Sequence, residues 1–170
     1  MMGSRKIVLG LLVGVSLSLG GCGGGATETD NLVCLKRVDL RLVGATLNRN
    51  TRAIEAALQE GADANSSIEG LAPPIVIAAL SDNFDAVQLL LDKGANVNAT
   101  DNEGYTPLIN ASISDSEEIV QLLLARGADV NASAYPVRKG QTIRVTALMI
   151  ARSQGRDKIA KSLIDAGAKE

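Results

Sequence analysis

The residues of this chain best equipped for covalent chemistry are two thiols, Cys22 and Cys34, and no imidazole exists to activate either. The 170 residues include no His. A Ser-His-Asp or Cys-His nucleophile system therefore cannot form. A zinc site would have to manage with two Cys and no His. The carboxylates Asp85, Glu117 and Asp157 sit where apolar-periodic segments begin, and there the positive end of a helix dipole accounts for them. No catalytic constellation is assembled and no metal or cofactor is implied, so the chain reads as a non-enzyme. Three aromatics (Phe84, Tyr105 and Tyr135), no Trp, and 17 basic against 19 acidic residues leave neither a stacking platform nor a basic groove for nucleic acid.

What remains is an Ala- and Leu-rich chain, which suggests helices packed on helices. The first residues follow another logic. Arg5 and Lys6 form a positive head, and Ile7 to Leu19 is an apolar run of thirteen residues. A hydrocarbon core of about 30 Å needs roughly 20 residues to cross, so the run has the proportions of a secretory signal. Leu19-Gly20-Gly21-Cys22 resembles the lipobox of bacterial lipoproteins. The resemblance implies that the chain is cut before Cys22, that Cys22 carries the lipid, and that acyl chains anchor it at about 0.8 kcal/mol per CH₂. Gly23, where inner-membrane lipoproteins commonly have Asp, implies the outer membrane, facing the periplasm.

On this reading residues 1–21 are a signal peptide and 22–34 the lipidated Cys with a flexible tether. Without the signal the chain has 15 basic and 19 acidic residues, net −4, which argues against electrostatic binding to nucleic acid or anionic lipid. Cys34 is then the one thiol without a lipid. It is either an intermolecular disulfide partner or a small buried hydrophobe in the first helix.

One period organises the rest. Gly61-Ala62-Asp63, Gly94-Ala95-Asn96 and Gly127-Ala128-Asp129 are 33 residues apart, and Gly167-Ala168-Lys169 follows after 40. Asn65, Asn98 and Asn131 keep the interval of 33, as do Ala45, Ala78 and Ala111, with Ala151 40 further on. A recurrence of this length sets the architecture. Thr106-Pro107-Leu108-Ile109-Asn110-Ala111 matches the T-P-L-x-x-A core of the ankyrin repeat, and the segments 73–78 and 146–151 are looser copies. The chain resembles an all-α ankyrin-repeat solenoid over 35–170, in four helix-turn-helix copies at about 35–67, 68–100, 101–140 and 141–170.

Elementary chemistry supports the unit. Thr106 caps a helix and Pro107 opens it with φ preset. Second helices are expected from Asp82 to Lys93 and from Asp115 to Arg126, with Val87, Leu90, Leu91 and Val120, Leu123, Leu124 on one face. Gly94 and Gly127 end them. One unit cannot bury its apolar stripe alone, whereas four stacked units can. In the last copy Ser162 replaces Leu89 and Leu122, as a terminal unit requires. Two departures from the family pattern stand out. The usual His of T-P-L-H is Val76, Ile109 or Met149, so turns braced by that His should be looser. Seven extra residues between Ser133 and Ile143 should make a projecting hairpin.

The resemblance implies protein binding through hairpin tips and the exposed side of first helices. Carried onto this chain, that marks Asn102, Glu103, Tyr105, Ile113 and Ser114 in copy three, Glu69, Ala72, Leu80 and Ser81 in copy two, and Leu47 and Asn48 in copy one. Leu47, Leu80 and Ile113 are 33 apart. They form either an apolar contact ridge or a seal between adjacent helices. Tyr135, Arg138, Lys139 and Arg144 cluster in the long hairpin, as a partner contact or as a solvated loop. Small ankyrin lipoproteins are similar to immunity proteins that neutralise antibacterial lipase or phospholipase toxins. That similarity implies a periplasmic inhibitor, monomeric when alone, with a toxin as its partner. The rival reading is an envelope scaffold that bridges a resident protein to the membrane.

Overall fold

The computed structural model describes residues 28–68, 70–138 and 140–169, with side chains from Arg37 onward except at Arg138. Four helical hairpins follow one another. They are α1 (Glu28–Leu47) with α2 (Thr51–Gln59), α3 (Pro74–Leu80) with α4 (Phe84–Asp92), α5 (Pro107–Ser114) with α6 (Glu117–Ala125), and α7 (Ala147–Ser153) with α8 (Asp157–Asp165). First helices pack on first helices, α1 on α3 on α5 on α7. Second helices form the other layer, α2 on α4 on α6 on α8. One core threads all four copies through Leu42, Ile54, Ile75, Leu90, Leu108, Leu123, Leu148 and Leu163. The small column Ala45, Ala78, Ala111 and Ala151 is buried throughout and lets first helices approach closely.

α1 begins inside the stretch expected to be tether, so 28–34 continue the first helix. The lipobox and Cys22 lie outside the described residues, as does the side chain of Cys34.

The first helices start as their sequence dictates. Thr106 Oγ1 accepts from the Ile109 N–H at 3.3 Å, and Thr146 Oγ1 from the Met149 N–H at 3.2 Å. In copy two Pro73 holds the cap position with no side-chain bond, and Pro74 opens the helix. The second helices are shorter than their sequence suggests. α4 runs from Phe84 and α6 from Glu117, because Asp82 (φ 52°) and Asp115 (φ 66°) are left-handed. These two residues close the turn after a first helix instead of opening the second. The caps are Asn83, which accepts from the Ala86 N–H at 3.2 Å, and Ser116. Arg49 (φ 56°) and Gly155 (φ 68°) hold the same left-handed place in copies one and four.

The periodic asparagines join consecutive copies. Asn65 Oδ1 accepts from the Asn96 N–H at 2.6 Å while its Nδ2 donates to the Gly94 carbonyl at 2.9 Å. Asn98 Oδ1 accepts from the Asp129 N–H at 2.8 Å. Asn131 Oδ1 accepts from the Lys169 N–H at 2.8 Å, and its Nδ2 donates to the Gly167 carbonyl at 3.3 Å. In copy one Asp39 of α1 takes the part of such an asparagine and accepts from the Asp63 N–H at 2.9 Å.

Candidate functional site

The ridge expected along the first helices is open at one end and closed at the other. Leu47 and Leu80 are 47% and 41% exposed, whereas Ile113 is half-buried and packs on the core. The Ser114 hydroxyl reaches back to the Ala79 carbonyl at 3.0 Å, and Ser81 beside Leu80 is half-buried. Copies one and two therefore present an apolar stripe, and copy three seals the seam. Of the flanking positions, Asn48 is exposed, Ala72 is half-buried, and Glu69 lies outside the described residues.

The turn before α5 presents Asn102 and Glu103 to solvent. Tyr105 is corrected by the structure: it is 4% exposed and belongs to the core, so its ring is not available as a contact. The reason is positional. A large residue immediately before a cap packs inward against its helix, and Tyr105 precedes Thr106. The turn is not loose for want of a His. Asp101 Oδ1 accepts from the backbone N–H groups of Glu103 and Tyr105, both at 2.9 Å.

The projecting segment is a β-hairpin. β1 (Ser133–Ala134) pairs with β4 (Val145–Thr146), and β2 (Val137–Arg138) with β3 (Gln141–Thr142). Ser133 faces Thr146 and Val137 faces Thr142. Both ladders thus share one register, which sets Tyr135 opposite Arg144 and Pro136 opposite Ile143. The Ile143 N–H donates to the Pro136 carbonyl at 3.1 Å, as that register requires. Side chains alternate between two faces. One holds Ala134 and Pro136, both buried against the array, with half-buried Val145. The other holds Tyr135 (56% exposed) and Val137 (66%), with exposed Thr142 and Arg144. Ile143, on the packed side, is still 44% exposed.

The hairpin is docked at its base. The Tyr135 N–H donates to the Glu103 carbonyl at 3.0 Å, which ties it to the turn of copy three. Arg144 Nε donates to Ser133 Oγ at 3.1 Å across the strands. Gly104, at φ 84°, brings that turn so close that a Cβ would meet Ala134 Cα at 3.4 Å. Arg138 is described in its backbone alone, and Lys139 lies outside the described residues. Reading residue by residue for charge and aromatics marked Tyr135 and Arg144 but passed over Val137 and Ile143. Strand alternation sets Val137 on the face of Tyr135, whereas it sends Ile143 to the packed side, so no periodic signal marks Ile143.

An open groove between copies three and four is lined by Asp115, Glu117, Gln154, Arg156 and Lys158. Its charges answer each other, with Arg156 Nε 3.4 Å from Asp115 Oδ1 and Lys158 Nζ 3.6 Å from Glu117 Oε2. Among the described residues no group of three or more Cys, Asp or Glu is placed to hold a metal ion, and no helix is long and apolar enough to cross a membrane.

A model of ankyrin repeats in three copies matches residues 42–134, more than half of the chain. No curated protein matches the sequence. The matched segment covers α2 to α6 with the end of α1, and the fourth hairpin of helices continues the same stack beyond it. Ankyrin arrays are protein-interaction modules, and the exposed apolar side chains here stand on the hairpin and first helices that such arrays use. The interval of 33, the left-handed turns, the two helical layers and the family match agree, and the chain belongs to the ankyrin-repeat family.

Proposed function

We propose that this ankyrin array is a membrane-tethered inhibitor, an immunity protein that binds a lipase or phospholipase toxin in the periplasm and covers its active-site entrance. The observation that carries the reading is the docked hairpin, which holds Tyr135, Val137 and Ile143 out in solvent. Exposed apolar groups on a fixed backbone cost little ordering when they bind, which favours a protein contact. Leu47 and Leu80 supply a second apolar stripe. The partner-binding set is Leu47, Leu80, Ser81, Asn102, Glu103, Tyr135, Val137, Arg138, Lys139, Ile143 and Arg144, with half-buried Ile113 and Ser114 at its border. The tether is lipid on Cys22, as the lipobox resemblance implies. It places the protein at the outer membrane and raises its effective concentration where a toxin arrives.

The test is to establish whether a lipase or phospholipase is encoded beside this chain and to produce the two together, the enzyme directed to the periplasm. Protection of the cells, one-to-one complex formation, and loss of both with Tyr135→Ala plus Val137→Ser are expected. Unchanged killing and an enzyme active in the presence of excess protein would overturn the immunity reading. A bound but fully active envelope enzyme, retained at the membrane, would establish the scaffold instead.

A further inference from the structure

The hairpin has a free edge. In an antiparallel pair, residues alternate between pairs that bond each other and pairs whose N–H and C=O groups point away. The Ile143–Pro136 bond fixes the phase: 134 with 145, 136 with 143 and 138 with 141 bond inward. Tyr135, Val137, Thr142 and Arg144 therefore direct their backbone groups outward. On the first strand that edge is occupied, since the Tyr135 N–H is held by Glu103. On the second strand, no backbone bond to the N–H of Thr142 or Arg144 is made among the described residues. Gln141, Thr142, Ile143 and Arg144 are all exposed. An exposed strand edge is a template for another strand.

We infer that the 141–145 edge takes up an extended, acidic strand of the protein partner by β-augmentation, main-chain bonds to Thr142 and Arg144 supplying the pairing. The inference rests on the protein-binding reading above and specifies its mode. Charge selects the occupant. Arg138, Lys139 and Arg144 gather in this hairpin of a chain whose acidic residues outnumber its basic ones. A strand with carboxylates beside Arg144 is attracted. A second copy of this chain would bring two hairpins of the same charge together, which is repulsive.

The probe is an acetylated octapeptide of alternating Val and Glu, with a Val–Lys counterpart and a backbone N-methylated Val–Glu counterpart. Binding is read by anisotropy, and hydrogen exchange is followed at the Thr142 and Arg144 amides of the whole chain. The acidic peptide is expected to bind and to slow exchange at both amides, while the other two peptides do not. Thr142→Pro removes an outward N–H and leaves the inward ladder untouched, whereas Arg144→Pro removes the other outward N–H together with the cation and its bond to Ser133 Oγ. Each should weaken binding about tenfold or more, the order expected for a lost main-chain bond on a strand edge. Thr142→Val should bind as the parent does.

Failure of the acidic peptide to protect those amides, equal binding of the N-methylated peptide, or a dimer that the proline variants dissociate would each overturn the inference. Where a toxin is inhibited as strongly by both proline variants as by the parent, the edge is refuted and the inhibitor reading stands.

Discussion

Asp82 and Ser116 stand 34 residues apart and close on each other across copies two and three, the Ser116 hydroxyl donating to Asp82 Oδ1. Ser116 caps α6 in position, but its side chain makes no bond to its own helix, because its hydroxyl is turned to Asp82. Asp82 is left-handed, a conformation that Asp tolerates better than other residues with a Cβ. Arg49 holds the same backbone place in copy one with a poorer residue for it, its guanidinium donating to the Asp82 carbonyl at 2.9 Å. Arg49→Gly is expected to be neutral or to stabilise by up to about 1 kcal/mol, and Arg49→Val to cost about 2 kcal/mol. Urea titration of the two variants checks the order.

The asparagine joints between copies make a separate prediction. Asn65→Ala removes an acceptor for the Asn96 N–H and a donor to the Gly94 carbonyl. A loss of about 1 to 2 kcal/mol is expected, two exposed hydrogen bonds at modest net value each. Asn65→Asp keeps the acceptor and should recover about half. Thermal or chemical unfolding that leaves Asn65→Ala unchanged would remove the joint from the account.

Two leucines ten positions apart should behave in opposite ways. Leu90 is fully buried and Leu80 is 41% exposed. Leu90→Asp places an unpaired charge between copies and is expected to unfold the array, a loss of several kcal/mol. Leu80→Glu should change stability by less than about 0.5 kcal/mol, as exposed substitutions usually do. It should also weaken a partner that uses the first-helix stripe. Circular dichroism melts separate the two. Ile113→Glu is not equivalent to Leu80→Glu, because Ile113 packs on the core.

Asn110 is 2% exposed, and its Nδ2 has no hydrogen-bond partner among the described residues. The corresponding residues are Ile77 in copy two and Ile150 in copy four. Asn110→Leu, which has the same branching with methyls in place of the amide, should raise stability by about 1 to 2 kcal/mol, since the desolvated amide is lost with no partner orphaned. The measurement is the denaturant midpoint. A lower midpoint would show that the amide is satisfied in solution.

Much of this was legible in the residues. The interval of 33 is written in Gly, Ala and Asn positions that each answer a local demand, so copies, layers and core faces follow from it. Other features need three dimensions. Asp82 and Asp115 read as helix starts because Asp is a good cap, yet the neighbouring Asn83 and Ser116 take that place. Tyr105 read as surface because turn residues usually are, while its position before Thr106 sends it inward. The extra residues announced a projection but not its pairing. A ladder this short carries little propensity signal, and its register, with Arg138 facing Gln141, follows from the pairing of the two strands.

That single register restricts how this protein can diversify. A residue added to one strand alone would slip its pairing against the other, so growth or trimming that keeps the register comes in matched pairs, one on each strand. Relatives adapted to deeper or shallower targets should therefore differ here by even numbers of residues, with the stacked body left as it is.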